Sequence, residues 1–181
     1  MKGELPAWRV SGSNTFPPEK TCPDMKRPKM AVTPMDGTIA DLVMRTDHRT
    51  LATWAADCAE RVLHLFEEVR PADPRPRKAV EACREWAHTG VFRMADVRRT
   101  SLAAHAAARD VMGDDAARSA ARAAGQAMAT AHVPAHAIAA ARYAATALRD
   151  AAAPPDADAA ATKEREWQYR RLRELRGERA E

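Results

Sequence analysis

Apolar residues recur three and four positions apart over most of this chain, the 3.6-residue period of amphipathic helices. The plainest case runs from Thr46 or Asp47 to Val69, where Leu51, Trp54, Ala55, Cys58, Val62, Leu65 and Phe66 mark one face. Thr46 or Asp47 suits the N-cap, because its side-chain oxygen can take up a free amide of the first turn. Pro71, Pro74 and Pro76 end that helix. A second helix is predicted from Pro76 to Gly90, with Ala79, Val80, Cys83, Trp86 and Ala87 inward and a glycine cap. A third spans Met94 to Met112, with Val97, Leu102 and an alanine face inward. A fourth spans Asp114 to His132. Pro134 removes an amide donor and disfavours helical geometry at Val133, so a break is predicted there. A fifth helix then runs from Pro134 to Ala152; a kinked continuous helix is the alternative. The last, from Ala159 to Arg176, docks through Trp167, and a short helix from Asp36 to Met44 can precede the first.

These elements add up to an all-α fold, a compact bundle of five to six antiparallel helices. The pairs Pro76–Asp110 and Asp114–Asp150 have similar lengths, which gives the bundle some helical-hairpin repeat character. Residues 1–36 stand apart, with six prolines and no hydrophobic period, and are expected to be disordered or loosely packed. Met30 and Met35 would each make a sensible start. The helical domain covers 37–176, and 177–181 are expected to fray.

Composition sharpens the core. Ser101 to Asp150 holds 22 alanines in 50 residues, so helices there can approach closely. Aromatic residues are only 5% of the chain, which leaves a core of Ala, Leu, Val and Met. Basic residues number 29 and acidic ones 25, interspersed along the helices, as on solvated faces. A net charge of +4 without a basic stripe argues against nucleic acid as partner, and the arginines of the tail (Arg165, Arg170, Arg171, Arg173, Arg176, Arg179) alternate with Glu164, Glu166, Glu174 and Glu178. No secretory leader and no membrane span is legible. Cys22, Cys58 and Cys83 are odd in number and widely spaced, which suits reduced thiols in a cytoplasm.

Candidate chemistry is sparse. His132-Val-Pro-Ala-His136 carries two histidines four apart, a metal-chelating spacing on an unbroken helix, but Pro134 lies between them. The plainer reading has His132 at the carbonyl end of the fourth helix and His136 packed at the junction. His105 and Arg109 share a helix face, and a structural ion-pair network with Asp47, Asp57 or Glu81 is the favoured account. Asp57 beside Cys58 is placed half-buried, with Arg122 or His105 as donors, or else at the boundary of the helix. Cys58 and Cys83 fall on apolar faces, where thiols act as small core residues. With 7 glycines and no GxGxxG or GxxxxGK[ST], a phosphate-cradling loop is excluded.

The segments WAADCAERVLHLFEE (Trp54 to Glu68), DPRPRKAVEACREWAHTG (Asp73 to Gly90), AAHAAARD (Ala103 to Asp110), AARAAGQAMATAHVPAHAIAAARYA (Ala120 to Ala144) and EREWQ (Glu164 to Gln168) follow one another in order. Together they resemble a small all-α family of bacterial and archaeal immunity proteins of polymorphic toxin systems, some of whose members carry exonuclease-related labels. The resemblance covers roughly Asp47 to Leu175. It implies a cytoplasmic protein that binds and neutralises a cognate protein toxin without catalysis, with no catalytic residue to carry across, no cofactor and no metal. The residues expected to make the partner or ligand pocket are Asp57, His105, Arg109, His132 and His136, converging in one recess. The alternative is an enzyme, or a small-ligand or metal-binding protein, that uses the same His/Asp/Arg cluster.

Overall fold

The computed structural model describes residues 29–178, which hold seven helices and no strand. They are α1 (Asp36–Met44), α2 (His48–Val69), α3 (Arg75–Thr89), α4 (Met94–Asp110), α5 (Asp115–Thr130), α6 (His136–Ala151) and α7 (Ala157–Leu175). The count exceeds five to six because the short helix α1 forms and the chain breaks before Pro134. The expected ends hold because caps set them. Asp47 accepts from Thr50 N (3.0 Å) and Asp114 from Ala117 N (2.8 Å), each relieving an orphan amide. Gly90 closes α3 at φ 72°, a left-handed geometry that costs a residue with a Cβ about 1 kcal/mol.

Helix α5 is the hub and packs against α2, α3, α4 and α6. Four neighbours fit because Ala117, Ala120, Ala121, Ala123, Ala124 and Ala127 are all fully buried and cover several sides of the rod. The larger core side chains come mostly from α2, where Trp54, Val62, Leu63 and Phe66 are buried. By area, each contributes roughly 1.5–3 kcal/mol. Helix α2 also packs on α3, α6 and α7. The two similar hairpins do not stack as equal repeats. Helix α5 packs on both α3 and α4, whereas α6 turns to α2 and α7.

Helix α7 docks in a way its sequence hides. Trp167 is half-buried under Arg61, whose guanidinium lies 3.9 Å from the ring centre. The buried anchors are Leu172 and three polar residues, Glu164, Arg165 and Gln168. Trp54 Nε1 donates to the Gln168 carbonyl (2.8 Å), Gln168 Nε2 to the Ala141 carbonyl (3.0 Å), Arg165 NH1 to Gln168 Oε1 (2.7 Å), and Arg165 Nε to Asp36 Oδ1 (3.0 Å). One network thereby ties α7 to α1, α2 and α6.

The loose segment expected over 1–36 falls largely outside the described residues. Within them, Ala31 is buried and its amide donates to Thr146 Oγ1 of α6 (3.0 Å), while Thr33 N donates to Asp36 Oδ2 (3.0 Å). Of the expected frayed end, Glu178 pairs with Arg173 and Arg176, and 179–181 lie outside the described residues. Among the described residues no helix is long and apolar enough to cross a membrane.

Candidate functional site

The arginines divide by location. On α2, α3 and α7 most guanidinium groups find an acceptor. Arg61 meets Glu164, Arg75 meets Asp73 and Asp110, Arg77 meets Glu67, Arg84 meets Asp57 and Glu60, and Arg171 meets Asp57 and Glu174. On α4 and α5, Arg98, Arg109 and Arg122 have none among the described residues; Arg99 meets Asp96 and Arg118 meets exposed Asp115, each three residues away. The Nε atoms of Arg118 and Arg122 are enclosed without an acceptor, and Arg122 lies 5.9 Å from the Tyr143 ring centre on α6. Buried polar atoms without partners are uncommon in folded proteins; Thr33 Oγ1, Ser119 Oγ and Arg165 NH2 share that state among the described residues, but this face alone brings two guanidinium Nε atoms together.

The chain geometry lines these residues up. Met94, Arg98, Leu102, His105 and Arg109 follow at spacings of four, four, three and four, which makes one stripe along α4. Arg118, Arg122, Gln126 and Ala129 make the matching stripe on α5, the side left half-exposed by its neighbours. Helices α4 and α6 both flank α5 and barely touch one another, so the stripes border a groove floored by α5. The acidic residues of α4 face elsewhere: Asp110 reaches Arg75 of α3, and Asp96 lines a hollow of about 330 Å³ with Trp86, Val91 and Met128. Leu102 was expected inward with Val97. It is instead 57% exposed on the groove stripe, because the alanines alone fill the gap to α5.

His105 is the hinge of the arrangement. Its ring atoms lie 2.7–2.9 Å from where a Cβ on Gly125 would sit, so only glycine lets this imidazole lie on α5. Ser101 Oγ, one turn earlier, donates to the Gly125 carbonyl (3.0 Å). Burial first, then Arg122, Arg109 and His136, lower the His105 pKa to about 4, so the ring is neutral at pH 7. His136 Nδ1 donates to Gln126 Oε1 (2.7 Å), and burial followed by the charge of His132 lowers its pKa too.

Of the five residues expected to converge, His105, Arg109 and His136 do, with His132 exposed at the end of the groove. Asp57 does not. It lies buried on α2 and pairs with Arg84 NH2 (2.8 Å) and Arg171 Nε (2.8 Å), on the side of α3 and α7. Neither Arg122 nor His105 serves it, and among the described residues no carboxylate serves His105 or Arg109, so the structural ion-pair account of that pair gives way. His132 and His136 do not share a helical turn, since α5 ends at Thr130 and α6 begins at His136. The carbonyl end of α5 is met by His48, whose Nε2 donates to the Thr130 carbonyl (2.5 Å) while its ring lies against Trp86. Among the described residues no three His, Cys, Asp or Glu side chains group as metal ligands. The sequence reading missed Arg98 and Leu102 and gave Arg122 only as a donor to Asp57. The Met94–Arg98–Leu102 spacing was the signal for the first two.

Cys58 and Cys83 are free and buried. Burial raises both thiols, Cys83 to about 12, so neither forms a thiolate near neutral pH. A second hollow, of about 500 Å³, lies between α2, α6 and α7, with Leu65, Leu148 and Trp167 in its walls and Lys163 and Arg170 at its edge. The Glu164 carboxylate at its wall is already engaged by Arg61 Nε (3.0 Å) and Gln168 Nε2 (3.1 Å), and burial pushes its pKa up against the pull of Arg61.

Residues 41–175 match a family model described as Imm-5 like putative immunity protein. No curated protein and no solved structure matches the chain.

Proposed function

Because the chain belongs to the Imm-5 like putative immunity protein family, we propose that it binds a toxin protein and neutralises it by covering the toxin's working surface, with no chemistry of its own. The observation that carries this reading is the α4–α5 face, where Arg98, Arg109 and Arg122 lack acceptors and Leu102 stands exposed among them. The enclosed Arg122 Nε has lost part of its solvation, Arg98 and Arg109 stand exposed and free to pair, and exposed apolar side chains gain by contact; all favour a second protein surface. Binding by shape and charge is sufficient for protection, because occluding a toxin asks for affinity alone. Cytoplasmic action belongs to the proposal, and the free thiols of Cys58 and Cys83 suit a reducing compartment.

The test is co-expression with the toxin encoded beside the gene, together with recovery of the complex from purified components. Protection and a stable one-to-one complex are expected. Growth arrest despite abundant folded protein, with no complex, would overturn the reading.

A further inference from the structure

We infer that the groove between α4 and α6 is built to hold an acidic, amphipathic segment of the partner protein. The inference rests on the toxin-binding reading above and adds the chemistry of what is bound and the residues that read it.

Three observations select an acidic occupant. First, Arg98, Arg109 and Arg122 have no carboxylate among the described residues, whereas most arginines of α2, α3 and α7 are paired. Second, the carboxylates of α4 are turned to the α3 side, Asp110 to Arg75 and Asp96 to Arg99, so among the described residues neither competes for those guanidinium groups. Third, His105, His136 and His132 are felt together with Arg109 and Arg122, and they keep the local field positive or neutral. Guanidinium groups hold carboxylates in two-pronged hydrogen bonds, which makes an acidic side chain the natural complement.

The apolar part of the occupant follows from the same stripe. Met94 and Leu102 alternate with Arg98 and Arg109, with half-buried His105 between. The fifteen steps from Met94 to Arg109 at about 1.5 Å each give a track of roughly 22 Å, the length of about four helical turns. A helix with acidic residues one to three turns apart and leucine-like residues between them would match it, in the helix-in-groove mode. Duplex DNA fits less well. It prefers a broad run of phosphate contacts, whereas this groove offers few cations separated by apolar side chains.

The experiment uses the full chain and a fluorescein-labelled 15-residue peptide carrying Glu and Leu at helical spacing. Anisotropy is read at low and moderate salt. Binding that weakens with salt is expected, with at least a tenfold loss in the double variant R109E/R122E and less than twofold in K163E/R170E, which alters the edge of the other hollow. Circular dichroism and thermal melting establish that each variant is folded; if R122E does not fold, R98E/R109E, which changes only exposed positions, replaces it. Equal affinity in all variants overturns the inference, as does tighter binding of a duplex DNA of equal charge. Protection of cells by R109E/R122E at the level of the parent would leave the toxin-binding reading standing and remove this one. Peptide binding without any protection would do the reverse.

Discussion

Arg165 on α7 and Arg122 on α5 both belong to helices that pack on α6, and their surroundings are opposite. Arg165 is 1% exposed; its Nε donates to Asp36 and its NH1 to Gln168, while its enclosed NH2 makes no hydrogen bond and lies 2.8 Å from Asp36 as an ion pair. Arg122 has no acceptor among the described residues and its Nε is enclosed. The first has a carboxylate and an amide oxygen as acceptors within the chain; the second has no acceptor among the described residues. The same contrast holds for whole faces. The α2–α3–α7 side carries most of the ion pairs, while the α4–α5–α6 side presents cations and leucine to the outside. The position of a charge thus says less about its role than whether its hydrogen bonds are already made.

The largest effect should come from breaking the closed side. Arg165→Met leaves Gln168 Oε1 buried without its donor and Asp36 short of a partner, and a loss of about 3 kcal/mol is expected on chemical denaturation. A loss under about 1 kcal/mol would show that the network is not what holds α7. Next comes proton linkage at His105. Its folded pKa of about 4 lies below the unfolded value near 6.5, so between these values the unfolded chain takes up a proton that the folded one refuses. Stability should therefore fall as pH drops from 6.5 to 4, by no more than about 2 kcal/mol, since the ring is only partly buried, and H105Q should flatten that slope. Equal slopes in H105Q and the parent would count against the buried neutral ring.

A smaller effect is expected at Gly125. Replacement by alanine improves helix propensity by about 1 kcal/mol but drives the His105 ring away, so net stability should change by less than about 1 kcal/mol. The displaced imidazole should titrate nearer 6.5 by NMR; an unmoved titration would mean that the ring does not lean on α5. The smallest change in stability belongs to Arg122→Ala, within about 0.5 kcal/mol of the parent, because no hydrogen bond among the described residues is lost, the 5.9 Å contact with the Tyr143 ring is long, and an enclosed unpaired Nε is removed. A severe loss there would erase the contrast with Arg165.

Most of the fold was legible because it is written locally. Asp47, Asp114, Gly90 and Pro134 each act within a few residues, and they place helix ends to within a turn. What escaped was long-range. Asp57 was expected to meet Arg122 or His105, but its partners Arg84 and Arg171 come from α3 and from a helix more than a hundred residues away. Helix α7 reads as solvated because Glu164, Arg165 and Gln168 count as polar in any periodicity, although all three are buried through mutual hydrogen bonds. Leu102 reads as core by type and is exposed by position. The histidines and Arg109 were found because chemistry-bearing side chains stand out against alanine; that they border a groove depends on how α4 and α6 flank α5, which no local pattern states.

The most direct test sets the two faces against each other in cells that express the neighbouring toxin. R109E/R122E and K163E/R170E, each folded and equally abundant, are compared for survival. The account predicts that the first loses protection and the second keeps it. Full protection by R109E/R122E together with failure of K163E/R170E would place the working surface on the opposite side and contradict it.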